Sequence, residues 1–215
     1  MKRLLVLCVL ALPAFAQEKP IHLFHASATV IGTEGLVVLP ESGGAVEKTL
    51  RDYDDGTVRF REATSSVRGE MDGEVAVTTS SIVVKDLDIM NGLVRADRLT
   101  VCTTARQRLD EAEARISFAG SALTNLTVRG VPMDAEVDTE RFDRHPTFAS
   151  ARQTPIARSI VPEWIIPIDG AGTLYLGRVV VKPGERELAM IRFVPSNGKG
   201  VVTIGRSSTN GEPMP

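Results

Sequence analysis

The sequence predicts an all-β protein, most simply an antiparallel sandwich or a related two-sheet domain, with a long irregular loop near residues 134–167. Three observations favour this fold class. Short runs of alternating apolar and polar residues, bounded by glycine, recur along most of the chain, as in HLFHASATV at residues 22–30. Asn-Gly and Asp-Gly pairs, which suit tight hairpins, separate such runs at residues 91–92 and 72–73. Only residues 106–115 have a helical composition.

The N-terminus has the parts of a secretory signal peptide over residues 1–16. A basic start precedes an apolar run at residues 4–12 that is too short to span a bilayer, and small residues follow it. We expect cleavage between Ala16 and Gln17. The product, residues 17–215, is then a single β-rich exported domain, periplasmic or extracellular.

Composition narrows the set of partners. The formal net charge of −2 over 215 residues favours neither nucleic acid nor anionic lipid. No second apolar stretch reaches transmembrane length, so we expect no transmembrane anchor in the mature chain. Cys8 leaves with the signal peptide, and Cys102 then remains as one free, largely buried thiol.

The first half of the mature chain predicts short strands. Four apolar side chains from Phe24 to Val30 share one face, and GTEG at residues 32–35 then turns the chain. Residues 41–56 are expected to form a loop, and a strand resumes in GTVRF at residues 56–60, with Val58 and Phe60 on one side.

The clearest local prediction is a hairpin centred on Asn91 and Gly92. Its register places Ile89 opposite Val94, Asp88 opposite Arg95, and Leu87 opposite Ala96. Residues 106–115 allow either a turn or two of helix or a continuing strand.

The C-terminal third predicts a hairpin and a last strand after the irregular loop. Prolines at residues 146, 155, 162 and 167 exclude a central strand from that loop. Two strands then meet at Pro183-Gly184, and SNGKG leads into VVTIG. The expected core comprises Phe24, Val30, Val77, Leu87, Ile89, Val94, Leu99, Ile116, Phe118, Leu126, Leu174, Leu176, Val179, Val181, Met190, Ile191 and Ile204.

Four segments, in chain order, carry a resemblance to a known family: LDIMNGLVRADRLTVCTTA, AGSALTNLTVRGVPM, ELAMIRFV and GVVTIGRSS. Through them the chain resembles the choice-of-anchor P family of exported bacterial proteins over residues 24–210. The resemblance implies export and a β-rich fold, and it carries no activity. Members often have a second cysteine where this chain has Ser207-Ser208, which implies that Cys102 is an unpaired remnant.

The patterns that suggest chemistry have plainer interpretations. His22 and His25 point to opposite faces of a strand, so they cannot both bind one metal ion. The sequence RDYDDG at residues 51–56 lacks the spacing of a calcium loop and fits a turn. SNGK at residues 196–199 has the Ser-x-x-Lys spacing of some acyl enzymes. In those enzymes the motif opens a helix, whereas Asn197-Gly198 here predicts a turn. We therefore expect neither a metal site nor a cofactor, and no catalytic residue is assigned.

Four residues remain as candidates for ligand contact. Trp164 offers an aromatic face for a sugar ring, although a role in packing is the plainer interpretation. His145 lies in the irregular loop without an identifiable partner, and Asp54 and Asp55 precede a glycine in the RDYDDG turn.

The leading hypothesis for function is an exported, non-enzymatic envelope or extracellular β protein. It would serve as a binding or structural surface module for an envelope polymer or another extracellular protein. The alternative is an extracytoplasmic hydrolase whose catalytic groups converge from loops. A self-associating surface protein, with exposed edge strands, is a third possibility.

Overall fold

The computed structural model describes residues 22–154, 164–182 and 185–210. The expected signal peptide and its cleavage site lie outside these residues. Two antiparallel sheets, of six and eight strands, pack against each other and confirm the predicted all-β, two-sheet fold. Among the helices of the described residues, none is long and apolar enough to cross a membrane.

The chain forms fourteen strands and two short helices in the described residues. They are β1 (His25–Ile31), β2 (Val37–Val38), β3 (Gly44–Asp54), β4 (Val58–Asp72), β5 (Val75–Ile89), β6 (Val94–Arg108), β7 (Arg115–Ser117), β8 (Ala122–Thr124), β9 (Thr127–Val128), β10 (Val131–Pro132), α1 (Thr139–Asp143), α2 (Phe148–Ala151), β11 (Trp164–Ile168), β12 (Gly172–Lys182), β13 (Glu185–Pro195) and β14 (Val202–Asn210). The six-stranded sheet has the order β11-β12-β13-β14-β1-β2. The eight-stranded sheet has the order β10-β9-β6-β5-β4-β3, and β7 and β8 also pair with β6.

The β5–β6 hairpin has the register that its Asn-Gly turn predicts, with Ile89 paired to Val94 and Asp88 to Arg95. Asn91 and Gly92 both adopt positive φ, as a type I′ turn requires. The β4–β5 hairpin is also present. Its central residues are Gly73 and Glu74 rather than Asp72 and Gly73, because Asp72 pairs with Val75.

The prediction of a loop over residues 41–56 is wrong for most of that segment, since β3 runs from Gly44 to Asp54. This strand lies at the edge of the eight-stranded sheet, and all of its residues are half-buried or exposed. Its inward face is covered only in part, so the alternation that marks an ordinary strand is weak. Charged side chains on an exposed edge also reduce its tendency to pair with another chain.

Residues 106–115 form no helix. Strand β6 continues to Arg108, a turn follows in which Glu111 N–H donates to the Arg108 carbonyl, and β7 begins at Arg115. Residues 109–114 thus form neither of the two alternatives that the sequence left open, and strand structure occurs only at the two ends of the segment.

The irregular segment near residues 134–167 has more structure than predicted. It contains α1 and α2, and its end at residues 164–167 belongs to β11. Pro167 is tolerated there because β11 lies at the edge of its sheet. Pro155 and Pro162 lie outside the described residues.

The core lies between the two sheets and draws side chains from both. Every residue predicted for it is buried except Val77 and Val181, which are half-buried. Ile116 packs in a small separate cluster with Ala105 and Ala114. The assignment of Val77 fails because the inward face of β5 carries polar residues such as Thr78 and Ser80.

The buried hydroxyl groups of Ser80, Thr103 and Ser207 form hydrogen bonds with one another between the two sheets. The Ser207 Oγ lies 2.8 Å from the Ser80 Oγ and 2.7 Å from the Thr103 Oγ1, and the Ser80 hydroxyl donates to the Ser27 carbonyl at 2.9 Å. Paired in this way, buried hydroxyls avoid most of the cost of leaving water.

Cys102 is free and half-buried, so it is less buried than expected. It follows the buried Val101 and precedes the buried Thr103, and its side chain therefore faces away from the core. The Ser121 hydroxyl accepts a hydrogen bond from the Cys102 N–H and donates one to the Cys102 carbonyl oxygen. Ser207 contacts the neighbouring Thr103 across the core, on the other side of the sheet from the thiol.

Asp88 is the main polar support of the β5–β6 turn. Its carboxylate accepts the Gly92 N–H at 2.6 Å and pairs with Arg59 at 2.9 Å and Arg95 at 3.2 Å. Burial alone would raise the pKa of Asp88, but these partners outweigh it and the pKa lies below its ordinary value.

We expect Asp88→Asn to lower the free energy of unfolding at pH 7 by ~1–2 kcal/mol. Because the folded-state pKa of Asp88 is depressed, its contribution is present above the ordinary pKa of 3.8 and is lost as the pH falls through the lower folded value. Urea unfolding at pH 7 and pH 2.5 checks this. Equal differences between wild type and variant at the two pH values would contradict it.

Candidate functional site

The acidic turn that the sequence singled out is held by its own backbone. The Asp54 carboxylate accepts the Gly56 N–H at 2.8 Å, and the Asp55 carboxylate accepts the N–H groups of Thr57 and Val58 at 2.8 and 2.7 Å. Burial alone would raise the pKa of Asp55, but these backbone donors outweigh it and the pKa lies below its ordinary value. Both carboxylates therefore build the β3–β4 turn.

Trp164 and His145 lie elsewhere, beside the irregular segment. The Trp164 indole N–H donates to the Glu136 carbonyl at 2.9 Å, which ties β11 to that segment, and the side chain is 38% exposed. His145 is half-buried, and its carbonyl oxygen accepts a hydrogen bond from Arg186 at 2.5 Å. The structure does not bring these two residues together with Asp54 or Asp55 in one cavity.

The other polar patterns also have structural partners. His22 packs edge-on against Phe24, and burial, with a smaller effect of His25, lowers the His22 pKa. In the described part of the chain, no group of three His, Cys, Asp or Glu side chains could hold a metal ion. SNGK forms the predicted turn, in which the Gly198 N–H donates to the Pro195 carbonyl.

A groove of about 490 Å³ opens on the outward face of the six-stranded sheet. Arg178 on β12 and Arg206 on β14 line it, together with Glu187 on β13. Its rim comes from the start of β14 and from the β3–β4 turn, where Asp55 contributes. Asp55 is thus the one residue from the sequence candidates that borders this groove.

Two glycines turn the arginines outward. Leu176 and Ile204 directly precede the two glycines. Both pair with Ile191 of β13, and all three side chains are buried in the core. Gly177 and Gly205 then adopt φ values of 63° and 67°, each within its strand, and the alternation of faces shifts there. A Cβ atom on Gly205 would lie 2.8 Å from the Leu99 Cδ2, so the inward surface has no room for a side chain at this position.

Beyond that shift, one row of the sheet carries Arg178, Ala189 and Arg206, which pair across neighbouring strands. Arg192 lies farther along β13, opposite Thr203, which lines the groove. Three guanidinium groups therefore share one side of the sheet.

Glu187 forms an ion pair with one of these three cations. Its carboxylate, 13% exposed, pairs with Arg206 at 2.8 Å. Burial lowers the pKa of Arg178 below its ordinary value, and the positive charge of Arg192 lowers it further, which Glu187 offsets in part. The Arg178 Nε is buried and has no hydrogen-bond partner among the described residues.

This arrangement can bind an anion. A half-buried guanidinium without a hydrogen-bonded partner gains most from a planar acceptor such as a carboxylate, which it can hold through two N–H groups. The hydroxyls of Thr29 and Thr203, which also line the groove, add neutral donors and acceptors. The groove thus combines cations with groups that suit the hydroxyls of a ligand.

Sequence reasoning missed all three arginines. The available signal was the alternation in GTLYLGRVVVK, in which an arginine follows a glycine inside a predicted strand. A glycine in that position indicates a bulge or a bend, and a bulge redirects the next side chain.

Comparison with known proteins gives one match. No curated protein and no solved structure matches the chain. Residues 19–165 match the description "Domain of unknown function (DUF8256)". The match covers the eight-stranded sheet together with β1 and β2, and it ends within β11, so the arginine-bearing strands follow it. Because the match spans more than half of its residues, the chain belongs to the DUF8256 family of unknown function.

Proposed function

We propose that this protein is an exported, non-enzymatic binding module of the cell envelope or extracellular space, and that it binds an anionic polysaccharide in the arginine-lined groove. The observation that carries the proposal is Arg178, a half-buried guanidinium that lines the groove, forms no ion pair among the described residues and is repelled by its neighbours Arg192 and Arg206. A bound carboxylate would give the terminal N–H groups of this guanidinium an acceptor and reduce that repulsion.

The remaining polar groups favour a sugar as the carrier of the charge. Glu187 and Asp55 offer carboxylate oxygens at the groove, and Thr29 and Thr203 offer hydroxyls. A ligand with negative charge alone would be repelled by the two carboxylates, whereas an acidic sugar also brings hydroxyl donors for them. The predicted signal peptide, and the resemblance to exported proteins, support a location where such polymers occur.

The test is binding of residues 17–215 to polygalacturonate, with neutral dextran as the comparison. The double variant Arg178→Gln with Arg192→Gln removes the groove's Arg178 and its neighbour Arg192, neither of which forms an ion pair among the described residues. We expect it to weaken binding at least tenfold, since each hydrogen bond to a charged group contributes ~1.5–3 kcal/mol. Raising the salt concentration is expected to weaken wild-type binding.

The matched control is Arg68→Gln with Arg98→Gln, which removes the same charge from exposed positions on the eight-stranded sheet. It is expected to bind within twofold of wild type. Equal losses in the two double variants would contradict a specific groove and indicate general charge attraction. Shortening of the polygalacturonate during the assay would contradict the non-enzymatic assignment.

A further inference from the structure

A second cavity, of about 470 Å³, lies at the other sheet between β6, β7 and α1. Its volume falls in the range of pockets for small molecules. Arg106, Arg108 and Arg115 line it from the strands, while Glu111 and Asp143 line it from the β6–β7 turn and α1. The cavity therefore has a cationic wall and an anionic wall, and it shares no residue with the arginine-lined groove.

On the cationic wall, Arg115 differs from its two neighbours. Arg106 pairs with Asp72 at 3.6 Å, and Arg108 pairs with Asp110 at 2.9 Å. Arg115 lies opposite Arg106 across the β6–β7 pair and has no ion pair within 4.0 Å among the described residues. Its guanidinium is the one on this wall that is free to hold an acceptor.

On the anionic wall, Asp143 has an unpartnered atom. Its Oδ1 is buried and accepts no hydrogen bond from any described residue. A buried carboxylate oxygen without a donor is costly, and native structures usually provide a donor from protein, water or ligand. Asp143 and Arg115 line one cavity with opposite charges, yet they do not form an ion pair with each other.

The anionic wall is held firmly in place. Phe142, next to Asp143, is buried with its ring edge-on to Phe118 at 5.6 Å. The Ile116 N–H donates to the Pro146 carbonyl at 2.9 Å, which ties the segment after α1 to β7. These contacts hold α1, and with it Asp143, against β7.

We propose that this cavity binds a small zwitterion, either a free amino acid or a short peptide, with its ammonium group on Asp143 and its carboxylate on Arg115. An ammonium group supplies donors for the Asp143 carboxylate, which lines the cavity, and a carboxylate matches the planar guanidinium. A ligand with a single charge contacts one wall only, whereas a zwitterion contacts both. This site is independent of the polysaccharide proposal.

Calorimetric titration of residues 17–215 tests the site with three arms: a panel of free amino acids, their dipeptides and tripeptides, and singly charged analogues. We expect one of the first two arms to bind at least tenfold more tightly than the analogue without the amine and the analogue without the carboxylate. The arm that binds best identifies the ligand as an amino acid or a peptide.

Two variants assign the ends of the ligand. Asp143→Asn is expected to weaken zwitterion binding at least tenfold, while affinity for the carboxylate-only analogue changes less than twofold. Arg115→Gln is expected to show the reverse selectivity, with the amine-only analogue unaffected. Arg98→Gln, at an exposed position on the same sheet, is the control, and thermal melting verifies that each variant folds.

The proposal is overturned if no zwitterion binds saturably, or if singly charged analogues bind as tightly as zwitterions. It is also overturned if both folded variants keep wild-type affinity. A loss in Arg98→Gln equal to that in Arg115→Gln would likewise reject a specific site.

Discussion

A chain that stops where the family match ends, residues 17–165, is expected not to fold. It lacks β12, β13 and β14, which form the middle of the six-stranded sheet and separate β11 from β1. The side chains that these strands bury in the core are Leu174, Leu176, Val179, Leu188, Met190, Ile191, Phe193 and Ile204. Burial contributes ~1.5–3 kcal/mol for each large apolar side chain, so their sum is comparable to the ~5–15 kcal/mol that stabilises a whole domain.

Far-UV circular dichroism and urea unfolding measure this effect. Residues 17–210, which keep all fourteen strands, serve as the control and are expected to unfold cooperatively. A cooperative urea transition for residues 17–165 would show that the matched region folds alone. That outcome would replace the single-domain expectation with two separable units.

Arg186→Met is expected to release the segment that carries α1 and α2. The Arg186 side chain is 2% exposed and donates to the carbonyl oxygens of His145 and Thr147 at 2.5 and 2.8 Å. Burial lowers the Arg186 pKa to about 10, so the guanidinium is still charged at pH 7. The variant leaves two acceptors without their donor, and we expect the free energy of unfolding to fall by ~2–4 kcal/mol.

Limited proteolysis reports where that stability is lost. Cleavage between residues 134 and 154 is expected to be at least tenfold faster in Arg186→Met than in wild type. Arg206→Met changes an exposed arginine on the same sheet and is the control, with cleavage expected within twofold of wild type. Accelerated cleavage at many sites along the Arg186→Met chain would indicate global unfolding and contradict the local role.

The hairpins were predictable because their signals are local. The residue types of Asn91 and Gly92 set the turn, and the apolar residues on either side then set one register, which the structure confirms. The predicted core was recovered for a similar reason, since side chains alternate between two faces along a strand.

The failures have long-range causes. Strand β3 was assigned to a loop because it lies at a sheet edge, where little burial accompanies pairing. The assignment of Val77 to the core failed because polar residues occupy the inward face of β5: the buried hydroxyl of Ser80 is satisfied by Ser207 of the other sheet, more than a hundred residues away. No local pattern indicates such a partner.

The candidate site was less predictable than the fold. Of the residues selected from the sequence, Asp55 borders the groove, whereas Trp164 and His145 serve the irregular segment. The arginines converge only because strands from distant parts of the chain become neighbours in one sheet. Their outward direction also depends on the shift at Gly177 and Gly205, which changes the ordinary alternation.

The most direct test of the binding-module proposal is co-sedimentation with insoluble envelope polymer from the source organism, stripped of its proteins. Residues 17–215 and the Arg178→Gln, Arg192→Gln double variant are compared in the same experiment. The account predicts that wild type sediments, that soluble acidic polymer fragments but not neutral ones release it, and that the double variant stays in the supernatant. Wild type in the supernatant, or equal sedimentation of both proteins, would contradict it.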